Sequence, residues 1–192
     1  MIWALYVFGD SLSDAGNASF ITSNLFPPSP PYAGSFSNGP TAAQYMANLL
    51  GVSVTLGWSG LSATANNYAV GGGLNGYGNY NVQIGNPPGL GAAFPVMATT
   101  GIREQIERYS LVNPVVPNAA STLFMVWGGP NNIFLGAESG GDPSVYVPAA
   151  LAERADPRER APRRSRDDRR APPTARGRWL TRATRARSPR SW

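Results

Sequence analysis

The sequence predicts an α/β domain built around a parallel β-sheet. Residues 3–8 and 121–127 are rich in aromatic and aliphatic side chains, which is typical of strands covered on both faces. Each segment ends abruptly in turn-forming residues, Gly-Asp-Ser at 9–11 and Gly-Gly-Pro at 128–130. Segments with helical spacing follow these strands. The recurring order of strand, loop and helix indicates a parallel sheet.

The clearest helix is predicted after residues 38–39, with Pro40 in its first turn and Gly51 at its end. Its apolar side chains recur at helical spacing and form one stripe. We expect that stripe to pack in the core. Its members are Ala42, Tyr45, Met46, Leu49 and Leu50.

A second helix is predicted over residues 100–111, with an ion pair between Arg103 and Glu107 on its outer face. Its apolar face comprises Ile102, Ile106 and Tyr109. A third helix is predicted to begin at Asp142-Pro143, because an N-cap residue followed by proline is typical of a helix start. Residues 52–56 and 67–70 predict two short strands, and residues 71–95 predict a long loop rich in Gly, Asn, Pro and Tyr.

Length and composition restrict the class of protein. The 192 residues suffice for one domain with a buried core, and no apolar run is long enough to predict a transmembrane helix. Residues 1–8 are apolar but lack a basic leader, so we expect a strand rather than a signal peptide. Cysteine and histidine are absent, and the acidic residues are scattered, so no metal site and no cofactor are expected.

The charged residues divide the chain into two parts. All 16 basic residues are arginines, and only two of them precede residue 151. The first 150 residues therefore carry a formal net charge of −4 and the last 42 carry +9. Residues 153–192 are dominated by Arg, Pro, Ala and Asp without apolar periodicity, which predicts disorder. We therefore predict a folded domain over residues 1–152 and a basic tail over 153–192.

Three apolar strands end in small or amide-bearing residues, Ser11, Gly72 and Asn131. Ligands of open α/β sheets bind beyond the carboxyl ends of the strands. Acyl transfer needs a nucleophile and hydrogen-bond donors aimed at the oxyanion that forms during attack. The hydroxyl and N–H of Ser11, the N–H of Gly72 and the side-chain amide of Asn131 could supply these groups. Glycine suits position 72 because a side chain there would block close approach.

The same positions lie in motifs that resemble those of the GDSL (SGNH) esterase/lipase family. The motifs are Gly-Asp-Ser-Leu at 9–12, Asn-Tyr-Ala-Val-Gly-Gly at 67–72 and Gly-Pro-Asn at 129–131, together with the segment 32–40. The resemblance covers about residues 4–151. It implies a flavodoxin-like three-layer α/β/α fold and hydrolysis of carboxylic esters. It also implies that Ser11 is the nucleophile and that Gly72 and Asn131 complete the oxyanion hole.

The subgroup that the chain resembles includes secreted lipase, phospholipase and haemolysin-type enzymes, so small-molecule or lipid esters are the implied substrates. Two features depart from the family pattern. Asn132 stands where the family usually has aspartate, and the C-terminal Asp-x-x-His block is missing. A serine hydroxyl without a base is a poor nucleophile, and loss of a triad histidine costs roughly 10⁶ in turnover. We therefore expect an impaired, truncated esterase.

Two interpretations of residues 153–192 follow. Their composition is that of a GC-rich coding sequence read out of frame, which would explain the missing histidine block. Alternatively, the chain is a non-catalytic binding protein whose arginine-rich tail binds polyanions. We favour the first interpretation and do not expect a nucleic-acid partner.

Other signals near the predicted site receive structural interpretations. Asp14 and Asn17 are expected to cap a helix or brace the turn, and Asp10 is expected to be structural. The segment 71–76 formally fits G-x-G-x-x-G but lacks the following helix and acidic residue of a dinucleotide site. Three aromatic residues could line an acyl pocket or simply pack in the core and loops. They are Tyr32, Phe36 and Trp127.

Overall fold

The computed structural model describes residues 1–116 and 118–152. The predicted basic tail, 153–192, lies outside the described residues. The strands and α-helices are, in chain order, β1 (Ala4–Gly9), α1 (Asn17–Ile21), α2 (Ala42–Leu50), α3 (Tyr80–Gln83), α4 (Leu90–Ala93), α5 (Ile102–Val112), β2 (Thr122–Trp127), α6 (Pro130–Glu138) and α7 (Pro143–Ala152). Short 3₁₀ helices occupy Pro95–Thr99 and Ala119–Ser121.

Strands β1 and β2 are parallel and in register from Ala4 opposite Thr122 to Gly9 opposite Trp127. The other edge of β1 is bordered by the extended segment 66–70. This segment also runs parallel to β1, because Tyr68 N–H donates to the Val7 carbonyl (2.8 Å) and Val70 N–H donates to the Gly9 carbonyl (3.1 Å). The predicted α/β class with parallel strands is confirmed in this form.

Side chains of alternate β1 residues enter two different clusters. Tyr6 and Phe8 pack with Tyr68 of the bordering segment and with Ile102 and Tyr109 of α5. The intervening residues pack against α2 in a second cluster of buried side chains, namely Leu5, Val7, Ala43, Ala47 and Ala69. Aromatic rings fill the first cluster, and the Tyr6 and Tyr109 ring centroids lie 4.7 Å apart in an edge-on arrangement. Strand β1 is therefore the centre of the core.

Helix α2 forms where predicted, but the predicted core face is wrong. Ala43 and Ala47 are fully buried, whereas Leu49 is 84% exposed. The small alanines allow the helix to lie close to the sheet, and the larger side chains of the predicted stripe point outward, except Leu50, which is partly buried. The helix begins at Ala42, two residues after Pro40, which was predicted to lie in its first turn, because Thr41 is the N-cap and Pro40 precedes the cap. Tyr45 and Met46 are also exposed.

Helix α5 confirms the predicted ion pair, with 3.4 Å between Arg103 Nε and Glu107 Oε1. Ile102 and Tyr109 are buried as expected, but Ile106 is exposed. The buried row instead includes a polar residue, Gln105. Its side chain binds backbone groups of the sheet edge, which removes the cost of burying an amide.

The short strand predicted over 52–56 is not present; only a single bridge joins Leu56 to Asn67. The Asn66 side chain binds the Thr55 N–H (2.8 Å) and the Ser53 carbonyl (2.6 Å), so it occupies backbone groups that a strand ladder would use. The loop predicted over 71–95 contains the two short helices α3 and α4.

Strand β2 forms as predicted, but it is more exposed than a strand covered on both faces. Within the described residues, Phe124, Val126 and Trp127 are all between 41% and 49% exposed. Helix α7 begins at Pro143 as predicted, and Asp142 accepts a hydrogen bond from the Ser144 N–H (2.8 Å). None of the helices in residues 1–116 and 118–152 is long and apolar enough to cross a membrane.

Candidate active site

Strands β1 and β2 end side by side, and the turn that contains Ser11 follows directly. Gly9 lies opposite Trp127, and a Cβ added at Gly9 would lie 2.6 Å from the Trp127 carbonyl oxygen. Glycine is therefore required at the strand end by the close approach of β2. The carboxyl edge of the sheet is the place where an α/β protein binds its ligand.

The turn after β1 is held by Asp10. Its backbone carbonyl accepts the N–H groups of Ser13 (3.1 Å) and Asp14 (3.0 Å), and its carboxylate accepts the Leu12 N–H (3.1 Å). Burial raises the pKa of Asp10 above its usual value. Ser11 is half-buried at the top of this turn. Within the described part of the chain, neither its N–H nor its hydroxyl has a hydrogen-bond partner.

Gly72 lies in a turn that only glycine can form. Its φ is +81°, and an added Cβ would lie 2.6 Å from the Asn79 Oδ1 atom and would collide with the Asn81 amide. Its carbonyl accepts the Tyr80 N–H (2.7 Å). Its own N–H donates to no acceptor among residues 1–116 and 118–152. The flanking N–H groups of Gly71 and Gly73 are both paired.

Asn131 lies in the first turn of α6, which follows β2, and it is buried. Its Nδ2 donates to the Gly73 carbonyl (3.1 Å), and one amide hydrogen remains for another acceptor. A Cβ added at Gly73 would lie 3.1 Å from the Gly9 carbonyl oxygen. Asn131 therefore contacts Gly73, which follows Gly72, and Gly73 lies close to Gly9, two residues before Ser11. The three predicted site residues thus lie at one edge of the sheet, although they are distant in sequence.

Asp14 and Asn17 brace this edge, as their predicted structural roles require. The fully buried Asp14 carboxylate accepts four backbone N–H groups, and burial raises its pKa to about 6 against the opposing effect of these bonds. The Asn17 amide donates to the carbonyls of Asn67 (2.9 Å) and Ala69 (2.9 Å) and accepts the Trp58 N–H (3.2 Å).

Three amide side chains near the site have roles that the sequence did not reveal. Gln105 binds both backbone groups of Gly9. Asn79 donates to the Gly71 carbonyl (2.8 Å) and to Thr100 Oγ1 (2.9 Å). Asn132, at the position where the family usually has aspartate, accepts the Asn75 N–H (2.9 Å). A carboxylate could accept the same bond. Of these three, Gln105 could have been recognised from the sequence, because it falls in the buried row of its helix.

Of the three predicted aromatic residues, Phe36 lies against the glycine turn. The Phe36 ring packs so closely on Gly71 that a Cβ there would collide with it. The Tyr32 ring is 6.0 Å from that of Phe36, and Trp127 lies beside Gly9. A second aromatic pair was missed. Tyr80 and Phe134 have ring centroids 6.3 Å apart, and they belong to the helices that follow Gly72 and contain Asn131.

An open groove of about 430 Å³ lies at the other end of β1, bordered by Trp3, Tyr6, Val52 and Thr64. It is formed by the amino-terminal half of the strand, so it is separate from the edge that carries Ser11. Among residues 1–116 and 118–152, no three His, Cys, Asp or Glu residues lie together in a way that could hold a metal ion.

The carboxyl edge of this parallel sheet carries a serine turn, a glycine turn and an asparagine at a helix start, and this is the edge at which α/β proteins bind their ligands. The model of the GDSL-like Lipase/Acylhydrolase family matches residues 5–158, and the chain belongs to this family. Membership indicates a general esterase or hydrolase function. No curated protein matches the chain.

Proposed function

We propose that this chain reacts with carboxylic esters by forming an acyl-enzyme on Ser11. The oxyanion would be bound by the N–H groups of Ser11 and Gly72 and by the Asn131 amide. The observation that carries this proposal is the pattern of hydrogen bonding in the two turns. The N–H groups of Gly71, Gly73, Leu12 and Ser13 all donate, whereas those of Ser11 and Gly72 do not in the described part of the chain.

In the proposed first step, the Ser11 Oγ atom attacks the ester carbonyl and a new C–O bond forms. The carbonyl oxygen becomes the oxyanion, and its collapse expels the alcohol and leaves the acyl group on Ser11. Water then attacks the acyl carbon and releases the acid. The Ser11 proton passes to solvent, because the 192 residues contain no histidine that could accept it. Both steps are therefore slow, and esters with good leaving groups react best.

The acyl or alcohol part of the substrate would contact Tyr32, Phe36 and Trp127. Support comes from the packing of Phe36 on Gly71 and from the position of Trp127 beside Gly9. Trp127 is 46% exposed, so its ring offers apolar surface to a ligand. A small-molecule or lipid ester suits such a surface.

The complete fold that we propose is the flavodoxin-like three-layer α/β/α fold of the SGNH hydrolases. The packing of alternate β1 side chains toward α5 and toward α2 supports it. We further propose that residues 1–152 form the hydrolase-like domain and that residues 153–192 are a separate basic segment, out of frame with the family's C-terminal part. Translating the same DNA in its other two frames past codon 152 tests the last point. Finding no Asp-x-x-His in either frame would contradict it.

Labelling with p-nitrophenyl acetate tests the function. The chain has no lysine, so the α-amino group is the main competing amine, and background acetylation is low. Intact-mass measurement should show one acetyl group per chain, and peptide mapping should place it on Ser11. The Ser11→Ala variant should keep only the background. Equal labelling of the two proteins would show that Ser11 forms no acyl-enzyme.

A second candidate function rests on the charge distribution. A formal net charge of +9 over the last 42 residues, against −4 for the preceding 150, favours binding to polyanions. The full chain should then bind a single-stranded oligonucleotide with an affinity that falls steeply as salt is raised. Affinity that does not change with salt would contradict this function. Acylation of Ser11 separates the two candidates, because a binding protein would not react.

A further inference from the structure

The Asp14 carboxylate connects the start of α1 to the glycine turn. One of its oxygens accepts the N–H groups of Gly16 (2.8 Å) and Asn17 (2.6 Å). The other accepts the N–H groups of Ala18 (3.1 Å) and Gly71 (2.8 Å). The first three donors belong to the helix start that Asp14 caps. The fourth lies 57 residues further along the chain, directly before Gly72.

Gly71 is consequently held from two sides. Its N–H donates to Asp14, and its carbonyl accepts a hydrogen bond from Asn79 Nδ2 (2.8 Å). The Gly71 carbonyl and the Gly72 N–H belong to the same planar trans peptide and point in opposite directions. Asn79 therefore sets the plane of this peptide, and Asp14 holds the preceding one, between Val70 and Gly71. Together they determine where the Gly72 N–H points.

We propose that Asp14 is a positioning residue for the oxyanion hole, because its carboxylate holds the Gly71 N–H, in the peptide directly before the one that carries the Gly72 N–H, and so fixes the point from which that N–H is aimed. The proposal rests on the proposed function of the site. It assigns Asp14 a role beyond capping α1, since a serine or threonine hydroxyl would suffice as a cap. The second carboxylate oxygen is the part of Asp14 that reaches the glycine turn.

The burial of Asp14 supports this role. The side chain is fully buried, and its hydrogen-bond partners are all backbone N–H groups. A carboxylate has only acceptors, so it matches four donors without conflict. Retaining a buried acid without a cation is costly. The second carboxylate oxygen accounts for this cost, because it holds the Gly71 N–H, which the single hydroxyl of a serine or threonine cap would not reach.

The test uses the full chain and an alkylboronic acid, which forms a tetrahedral adduct with a serine hydroxyl and so imitates the oxyanion. The variants are Asp14→Asn and Asp14→Ala. In Asp14→Asn the carbonyl should stay with Gly16 and Asn17, whose bonds to the carboxylate are the shorter pair on average. The amide nitrogen then faces Gly71. Asp14→Ala removes every acceptor, whichever way an amide would turn.

The matched control is Thr22→Val. Thr22 is fully buried next to α1, and its hydroxyl accepts the Phe26 N–H (2.9 Å) and donates to the Ala18 carbonyl (2.8 Å). Its hydrogen bonds stay within residues 18–26 and do not reach the glycine turn. Its loss should destabilise the fold, as loss of buried hydrogen bonds does. Comparison with this control separates positioning of the oxyanion hole from general loss of stability.

We expect both Asp14 variants to bind the boronic acid at least about tenfold more weakly than the parent chain and Thr22→Val, at a temperature where all are folded. Unchanged affinity in either folded Asp14 variant would overturn the proposal, as would an equal loss in Thr22→Val. If the parent binds no better than Ser11→Ala, the proposed function itself fails. Amide hydrogen exchange of the parent chain supplies a measurement independent of folding in the variants. Rapid exchange of the Gly71 N–H would overturn the proposal.

Discussion

Gln105 holds both backbone groups of Gly9, although 96 residues separate them. The Gly9 N–H donates to Gln105 Oε1 (2.7 Å), and Gln105 Nε2 donates to the Gly9 carbonyl (2.8 Å). The same nitrogen also donates to the Thr100 carbonyl (2.8 Å). Helix α5 is thus tied to the last residue of β1, two positions before Ser11. The Gln105 side chain thus supplies the acceptor for the last N–H group of β1, just before the serine turn begins.

We expect Gln105→Leu to lower the free energy of unfolding by about 2–4 kcal/mol. The variant leaves the Gly9 N–H and the Thr100 carbonyl buried without this partner, and unsatisfied buried groups cost about 1–3 kcal/mol each. Ser110→Ala on the same helix is the control, because its exposed hydroxyl binds only the Ile106 carbonyl. Urea unfolding measures both. A Gln105→Leu protein as stable as Ser110→Ala would show that the hydrogen bonds between Gln105 and Gly9 do not stabilise the fold.

Glycine at position 72 should be needed for two separable reasons, its positive φ and its contact with Asn79. Gly85 has a similar φ of +67°, but an added Cβ there would meet nothing within 4 Å. Gly85→Ala therefore measures the backbone cost alone, about 1 kcal/mol. We expect Gly72→Ala to cost a further 1–3 kcal/mol, roughly the cost of overpacking. Equal unfolding free energies for the two variants would show that the Asn79 and Asn81 side chains move aside without cost.

The elements of this fold were predictable where their signals are local. Apolar runs that end in turn residues predicted β1 and β2, and Gly51 predicted the end of α2. The buried faces of the helices were less predictable, because apolar residues occur on both sides of α2. The face of α2 that packs on the sheet is the one with small side chains, Ala43 and Ala47. That choice depends on Leu5 and Val7, which lie far away in the sequence.

The site shows the same division between local and distant information. The turn that follows β1 could be predicted from Gly9, Asp10 and Ser11, and the structural role of Asp14 could be predicted as well. The fourth bond of Asp14, to Gly71, could not be predicted, because it depends on how the segment 66–70 lies against β1.

Asn131 should be important for acylation, whereas its neighbour should not. Asn131→Leu removes the amide that contacts the Gly73 carbonyl and that would bind the oxyanion. We expect acetylation of Ser11 by p-nitrophenyl acetate to slow by about 10²-fold, as it does when an oxyanion donor is lost. Asn132→Asp keeps an acceptor for the Asn75 N–H and should change the rate less than threefold, roughly the effect of 0.5 kcal/mol. Similar rates in Asn131→Leu and the parent would remove Asn131 from the site.

The titration of Asp14 should be visible in the pH dependence of stability. Burial raises its pKa in the folded protein from 3.8 to about 6, so the folded state binds this proton more tightly than the unfolded state does. The resulting stabilisation is fully present below pH 3.8 and is lost as the pH rises through 6. The loss amounts to about 3 kcal/mol, since one pKa unit corresponds to about 1.4 kcal/mol.

Asp14→Asn cannot titrate, so the difference in unfolding free energy between the parent and this variant isolates the effect. Asp10, whose pKa is also raised, is present in both proteins and cancels. We expect the difference to shift against the parent by about 2 kcal/mol between pH 4 and pH 7, because part of the effect is already lost at pH 4. A shift of the opposite sign would mean that the four N–H groups stabilise the carboxylate more than burial destabilises it. Asp14 would then be an ordinary low-pKa cap at every pH at which the protein is folded.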